Sequence, residues 1–158
     1  MAVNPSTGFC DRLLGGQSFE SIFQDGCIEV RTGAQPADAD QAPTGTLLGR
    51  ITRDGLTWTA GSPTGGLRYE TNGRYAIKQP DHIWTLTGIA AGTAGWFRML
   101  PNASDSGLLS AVAPRIDGAI ALLATPGDTQ FFMNNTTIAL ASAHDINNWY
   151  YVMPPVGE

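Results

Sequence analysis

The only two histidines of this 158-residue sequence each stand beside an aspartate, as Asp81-His82 and His144-Asp145. An imidazole oriented by a carboxylate is the raw material of a general base, and a serine or cysteine would complete a hydrolytic triad. The neighbouring residues do not develop that chemistry: there is no Gly-x-Ser-x-Gly elbow and no nucleophile in a marked turn. An Asp-His step ahead of a strand reads more plainly as a turn capped by its own side chains, and no enzymatic activity is expected. Cys10 and Cys27 lack partners at metal-ligand spacing, so both are expected as free thiols, Cys27 inside the strand pattern Cys27-Ile-Glu-Val-Arg31. The glycine-rich stretch 88–95 has no Lys-Ser/Thr behind it and opens a strand, which argues against a phosphate cradle. Asp38 and Asp40 offer oxygens in one loop but lack the further acidic ligands of a Ca²⁺ site. No metal and no cofactor are expected.

The aromatic residues are the other candidates for chemistry. Carbohydrate-binding modules stack sugars on exposed rings, and Trp58, Trp84, Trp96, Trp149, Tyr69, Tyr75, Tyr150 and Tyr151 are a set from which such a platform could be drawn. Trp84, Trp96 and Trp149, however, sit among apolar neighbours, the setting of a core or subunit interface. Only the run Trp149-Tyr150-Tyr151 must send rings to both faces of a strand, so part of it is expected in a second contact surface.

The elements that must position these residues are mostly strands. Ser18 can cap a short N-terminal helix, Phe19, Ile22 and Phe23 form its apolar stripe, and Gly26 is expected to end it in the left-handed conformation. Ile28 and Val30 then alternate with Glu29 and Arg31, the pattern of a half-exposed strand. Residues 33–45 have prolines towards both ends and no apolar period, and read as a long loop. Asp54-Gly55 predicts a hairpin between 46–52 and 56–60, and Asn72-Gly73 a second between 67–70 and 75–78. Further strands are expected at 83–87, 96–100, 113–117, 119–124, 131–133, 136–141 and 147–153, with 88–95 and 101–107 as corners and 96–100 covered on both faces. This spacing predicts an all-β fold, an antiparallel two-sheet β-sandwich (jelly-roll or immunoglobulin-like) with one short N-terminal helix. No linker or repeat divides it: residues 1–158 make one domain, with 1–26 an N-terminal arm and helix and 27–153 the sandwich.

Charged residues are only 15% of the chain and the net charge is −5, with Lys78 the sole lysine. A nucleic-acid-binding surface needs a basic stripe, and none is present. Few charges beside 19 glycines and 10 prolines suit a surface made to be covered, since desolvating a lysine or glutamate is costly. The start, MAVNPSTGF, has neither a charged n-region nor an apolar h-region, and no apolar run is long enough for a membrane span. No membrane contact is expected.

Several blocks together resemble a family of small virion structural proteins of tailed bacteriophages and prophages. They are Leu13-Leu14 with Phe19 and Phe23, Gly26 through Asp40, Thr44 through Gly49, Leu86 through Arg98, Pro114 through Gly118, and the terminal strand ending in Met153-Pro154. The resemblance implies a non-enzymatic part of a virion, made in the bacterial cytoplasm, whose partners are the major capsid protein or neighbouring virion proteins, and which forms a homo-oligomer. A capsid decoration (cement) protein is the first expectation, and a neck or tail component the second. A carbohydrate-binding module on a host-recognition fibre is a third, from a different class. The candidate interface comprises Asp38 and Asp40 in the adaptable loop, with Trp149, Tyr150 and Tyr151; residues 1–10 are expected to reach a neighbour.

Overall fold

In the computed structural model, which describes residues 3–122 and 131–152, alternation of apolar and polar residues becomes two sheets. The first six strands are β1 (Asn4–Pro5), β2 (Cys27–Thr32), β3 (Leu47–Arg53), β4 (Tyr69–Asn72), β5 (Tyr75–Lys78) and β6 (Trp84–Gly88). The remainder are β7 (Gly92–Leu100), β8 (Ile116–Leu122), β9 (Phe131–Met133), β10 (Thr137–Ile138), β11 (Ala143–Asp145) and β12 (Tyr150–Val152). Nine strands form the larger sheet along the path β1-β8-β7-β2-β3-β6-β11, with β10 against β7 and β9 parallel to β8; β12-β5-β4 form the smaller. The chain is an all-β sandwich of unequal sheets.

Ile28, Val30, Ile51, Phe97, Met99 and Ile116 line the inner face of the large sheet. The small sheet and two helices close over it, α1 (Thr7–Leu14) and α2 (Phe19–Phe23). Their meeting place is aromatic. Phe19 stacks on Tyr151 at 5.3 Å and meets Tyr69 edge-on at 5.4 Å, while Trp84 of the large sheet lies 5.6 Å from Trp149. Such offset and edge-on pairs add about 0.5–1.5 kcal/mol each beyond their burial. The helices are short, so this packing holds them in place of intrinsic helix stability. Ser18 caps α2 by accepting from the Ser21 N–H, and Phe19, Ile22 and Phe23 are buried together, as their spacing predicts.

Several expectations are corrected. There are two helices, not one: Ser6 caps α1 by accepting from the Phe9 N–H, and helix formation runs back to Thr7. Residues 3–10 of the arm are packed on this chain. Asn4 and Pro5 pair with β8, and Ser6 and Phe9 are buried. The left-handed residue after α2 is Asp25 (φ 61°), while Gly26 bridges to Leu67. Asp54 and Gly55 do turn, but 56–60 forms no strand. β3 pairs instead with β2 and β6, and the Trp58 indole donates to the Asp25 carbonyl at 2.8 Å.

The corner after β6 is shorter than expected, because β7 begins at Gly92 and runs nine residues. Residues 113–117 and 119–124 are not two strands. β8 runs through Gly118, where a β-carbon would stand 2.6 Å from the Phe97 ring, so this glycine marks a close approach and not a turn. The stretch 136–141 supplies only β10, and β11 follows unforeseen. The terminal strand is shorter, β12; Met153 and the end of the 119–124 segment lie outside the described residues. The second hairpin forms, β4 to β5, but one residue on from the expected turn. Asn72 pairs with Tyr75, which leaves Gly73 and Arg74 as the turn, with Gly73 at φ 62° in the first central position that type II′ turns reserve for glycine.

Candidate functional site

The outer face of the large sheet carries a row of charged side chains, with Trp96 of β7 beside Arg98. Arg50 of β3, Glu29 of β2, Arg98 of β7 and Asp117 of β8 are direct register neighbours, giving a charged row across four strands with alternating sign. Glu29 receives Arg31 and Arg50, each at 2.9 Å, and Arg98 forks onto both oxygens of Asp117 at 2.7 Å. β2 is expected half-exposed, yet its Glu29 is buried; Arg98 is buried too, in the strand expected to be covered on both faces, and so is Asp117. Two loops account for this: 33–45 and 101–114 lie over the row, with Pro43 and Asp105–Gly107 facing Glu29, Arg31 and Arg98 across a small gap.

Arg115 ties both loops to the sheet. Fully buried, it forks onto Asp105 (Nε 2.7 Å, Nη2 2.6 Å) and donates to the Leu108 carbonyl at 3.0 Å and the Asp40 carbonyl at 3.2 Å. Burial opposes ionisation of Asp105, but hydrogen bonds from Arg115 and the Gly107 N–H, with the guanidinium charge, outweigh it and hold the carboxyl below its ordinary range. Asp117 is further from water, and there burial prevails over the bonds and charge of Arg98, raising the carboxyl above that range.

What this scaffold presents is apolar. Leu108, Leu109 and Val112 are 66%, 75% and 79% exposed. Single exposed leucines are ordinary, but three within five residues of one loop form a knob. The backbone beneath is fixed: the Ser110 N–H donates to the Asp40 carbonyl at 2.8 Å, and the Ser6 hydroxyl to the Ala113 carbonyl at 2.8 Å. Gly8 of α1 lies so close to Val112 that a β-carbon would come within 2.4 Å of its backbone. A pre-ordered apolar knob loses little conformational entropy on docking, so more of its burial converts to affinity.

The residues singled out from sequence fall in different places. Asp38 is exposed and caps the Asp40 N–H at 2.9 Å. Asp40 faces inward to α1, accepting from the Thr7 N–H at 2.8 Å and hydroxyl at 2.6 Å, and so clamps the loop to the helix. The loop 33–45 is therefore packed: Gln35 and Ala39 are buried within it. Trp149 and Tyr151 are buried among Phe19, Tyr69 and Trp84, while Tyr150 points outward beside Tyr75, ring centres 6.3 Å apart. The alternation through 149–151 thus sends rings both ways, and only Tyr150 faces solvent.

His144 lies 3.0 Å from the Ser142 hydroxyl, which itself donates to the Ala139 carbonyl at 2.7 Å. Asp145 accepts from Thr85, on the opposite side of β11, and does not orient His144. The Asp81-His82 step is a turn in which the His82 N–H donates to the Gln79 carbonyl. Cys10 and Cys27 are free, and burial pushes the Cys27 thiol up to about 12. Among the described residues, no three His, Cys, Asp or Glu side chains are grouped to hold a metal ion, and no helix is long and apolar enough to cross a membrane.

The loop 108–112 and its Arg115 support were missed from sequence. The available signal was Leu108-Leu109 without helical or strand period between Pro101 and Pro114. Compared with protein-family models, curated proteins and solved structures, the chain matches none.

Proposed function

We propose that this protein is a bacteriophage virion structural protein, a capsid decoration (cement) protein that binds the outside of the shell and stabilises it. The observation that carries this reading is the rigid apolar knob Leu108, Leu109 and Val112 held up by buried Arg115. A knob of this kind fits a complementary pocket on a protein surface, and a repetitive shell offers the same pocket many times. If the protein acts as a homo-oligomer, modest contacts multiply through effective concentration. The low charge content and the resemblance to virion proteins support the same reading. A place in the neck or tail would use the same knob on a different partner.

The experiment is co-sedimentation with purified, undecorated shells. Wild type is expected to pellet with them. The Leu108→Ser, Leu109→Ser variant is expected to stay in the supernatant with its melting curve unchanged, because neither side chain is in the core. Equal pelleting of both proteins would remove the knob from the account.

A further inference from the structure

A cleft of about 1060 Å³ opens on the opposite kind of surface, where the small sheet meets β11 and the segment between β9 and β10. Its size lies just above the ~300–1,000 Å³ of small-molecule sites. Its walls combine two features. Apolar contact comes from Ile77, Met133 and the half-exposed ring of Tyr150. Polar contact comes mainly from neutral amides: Asn134, Asn147 and Asn148 line the cleft, are exposed, and make no side-chain hydrogen bond among the described residues.

We infer that this cleft is a binding site for a neutral saccharide of more than one sugar unit. Each free amide offers two donors and an acceptor of two lone pairs, which matches adjacent hydroxyls that both donate and accept. The Tyr150 ring supplies an apolar face for the C–H side of a sugar ring, and its phenolic hydroxyl remains available for hydrogen bonding. The charged groups are few and of both signs. Lys78 makes no ion pair among the described residues, and Asp145 is already hydrogen-bonded to Thr85. That balance favours a neutral ligand over an acidic one. Trp149 lines the floor and is otherwise buried, so an occupant would change its surroundings. The site is separate from the 108–112 knob and does not depend on the decoration reading.

The test uses the full chain and a panel of purified oligosaccharides: glucose-, galactose- and N-acetylglucosamine-containing neutral members, and uronic-acid-containing acidic ones. Binding is followed by tryptophan emission and by isothermal calorimetry. At least one neutral member is expected to bind and shift the emission. Tyr150→Ala and the pair Asn147→Ala, Asn148→Ala are each expected to weaken it tenfold or more, with melting curves unchanged because these side chains are exposed. Silence across the panel, binding that survives both sets of substitutions, or binding of acidic members alone that vanishes in Lys78→Gln would each overturn the inference.

Discussion

Replacing Arg115 by alanine should be among the most destabilising single changes outside the aromatic core. The side chain is fully buried and makes two bonds to Asp105 and one each to the carbonyls of Leu108, Asp40, Ala39 and Gln41. Removing one partner of a buried ion pair costs about 3–5 kcal/mol, because the other charge is left without compensation. Whole domains are stable by only about 5–15 kcal/mol, so Arg115→Ala should take a large share of the total. At about 2–4 °C per kcal/mol for a chain of this size, the melting temperature should fall by roughly 6–20 °C. Arg115→Lys keeps the charge but loses the planar fork, and should fall in between. Replacing both partners, Arg115→Met with Asp105→Leu, removes the orphaned charge yet still abandons the loop carbonyls of Ala39, Asp40, Gln41 and Leu108. Its deficit should shrink to about 1–3 kcal/mol and not vanish. Urea unfolding of the four proteins, with a check that slopes agree, gives these numbers. A loss below about 1 kcal/mol for Arg115→Ala would refute the claim that this residue holds the loops, since surface substitutions sit in that range.

Phe23 is fully buried against Phe9 and Phe19, at 5.4 and 5.1 Å. Phe23→Ala should cost about 3–5 kcal/mol in urea unfolding and weaken the near-ultraviolet dichroism of the aromatic cluster. Asp105 is held below its ordinary carboxyl value, so its contribution is complete above the unfolded-state pKa and is lost as pH falls through the folded one. Asp117, raised by burial, works in the opposite sense and offsets part of the loss in acid. Urea midpoints from pH 7 to pH 2 should therefore drop on the acid side, and less steeply in Asp105→Asn. With its thiol pushed up to about 12 and no exposure, Cys27 should resist iodoacetamide in the folded protein and react only in denaturant, whereas half-buried Cys10 should react first.

The sandwich was legible because period-two alternation survives in a single sequence. Ile28 and Val30 against Glu29 and Arg31 identify a strand and its two faces, and Asn72-Gly73 identifies a hairpin. Alternation does not say what covers the polar face. Glu29 reads as solvated, and only the fold reveals that two loops bury it beside Arg98 and Asp117. Nor does a turn signal choose a strand's partner. Asp54-Gly55 turns as expected, but β3 finds better neighbours in β2 and β6 than in the segment that follows the turn. Gly118 looked like a break because a missing side chain has two causes, a turn or a close neighbour, and the neighbour is Phe97 from a distant strand. Among the candidate interface residues, Trp149-Tyr150-Tyr151 disclosed its two-sidedness, since geometry forces alternate rings apart. The loop pair did not disclose its support, because the connections from Arg115 to Asp40 and from Ser6 to Ala113 join residues remote in sequence.

The most direct measurement is the copy number of this chain in purified virions, by quantitative mass spectrometry against the major shell protein. The decoration account predicts a ratio to shell subunits near one, or a simple fraction of it such as one per three or one per six. Absence from the particle would contradict it outright, and a count matching a single ring or a few fibres would contradict the shell position.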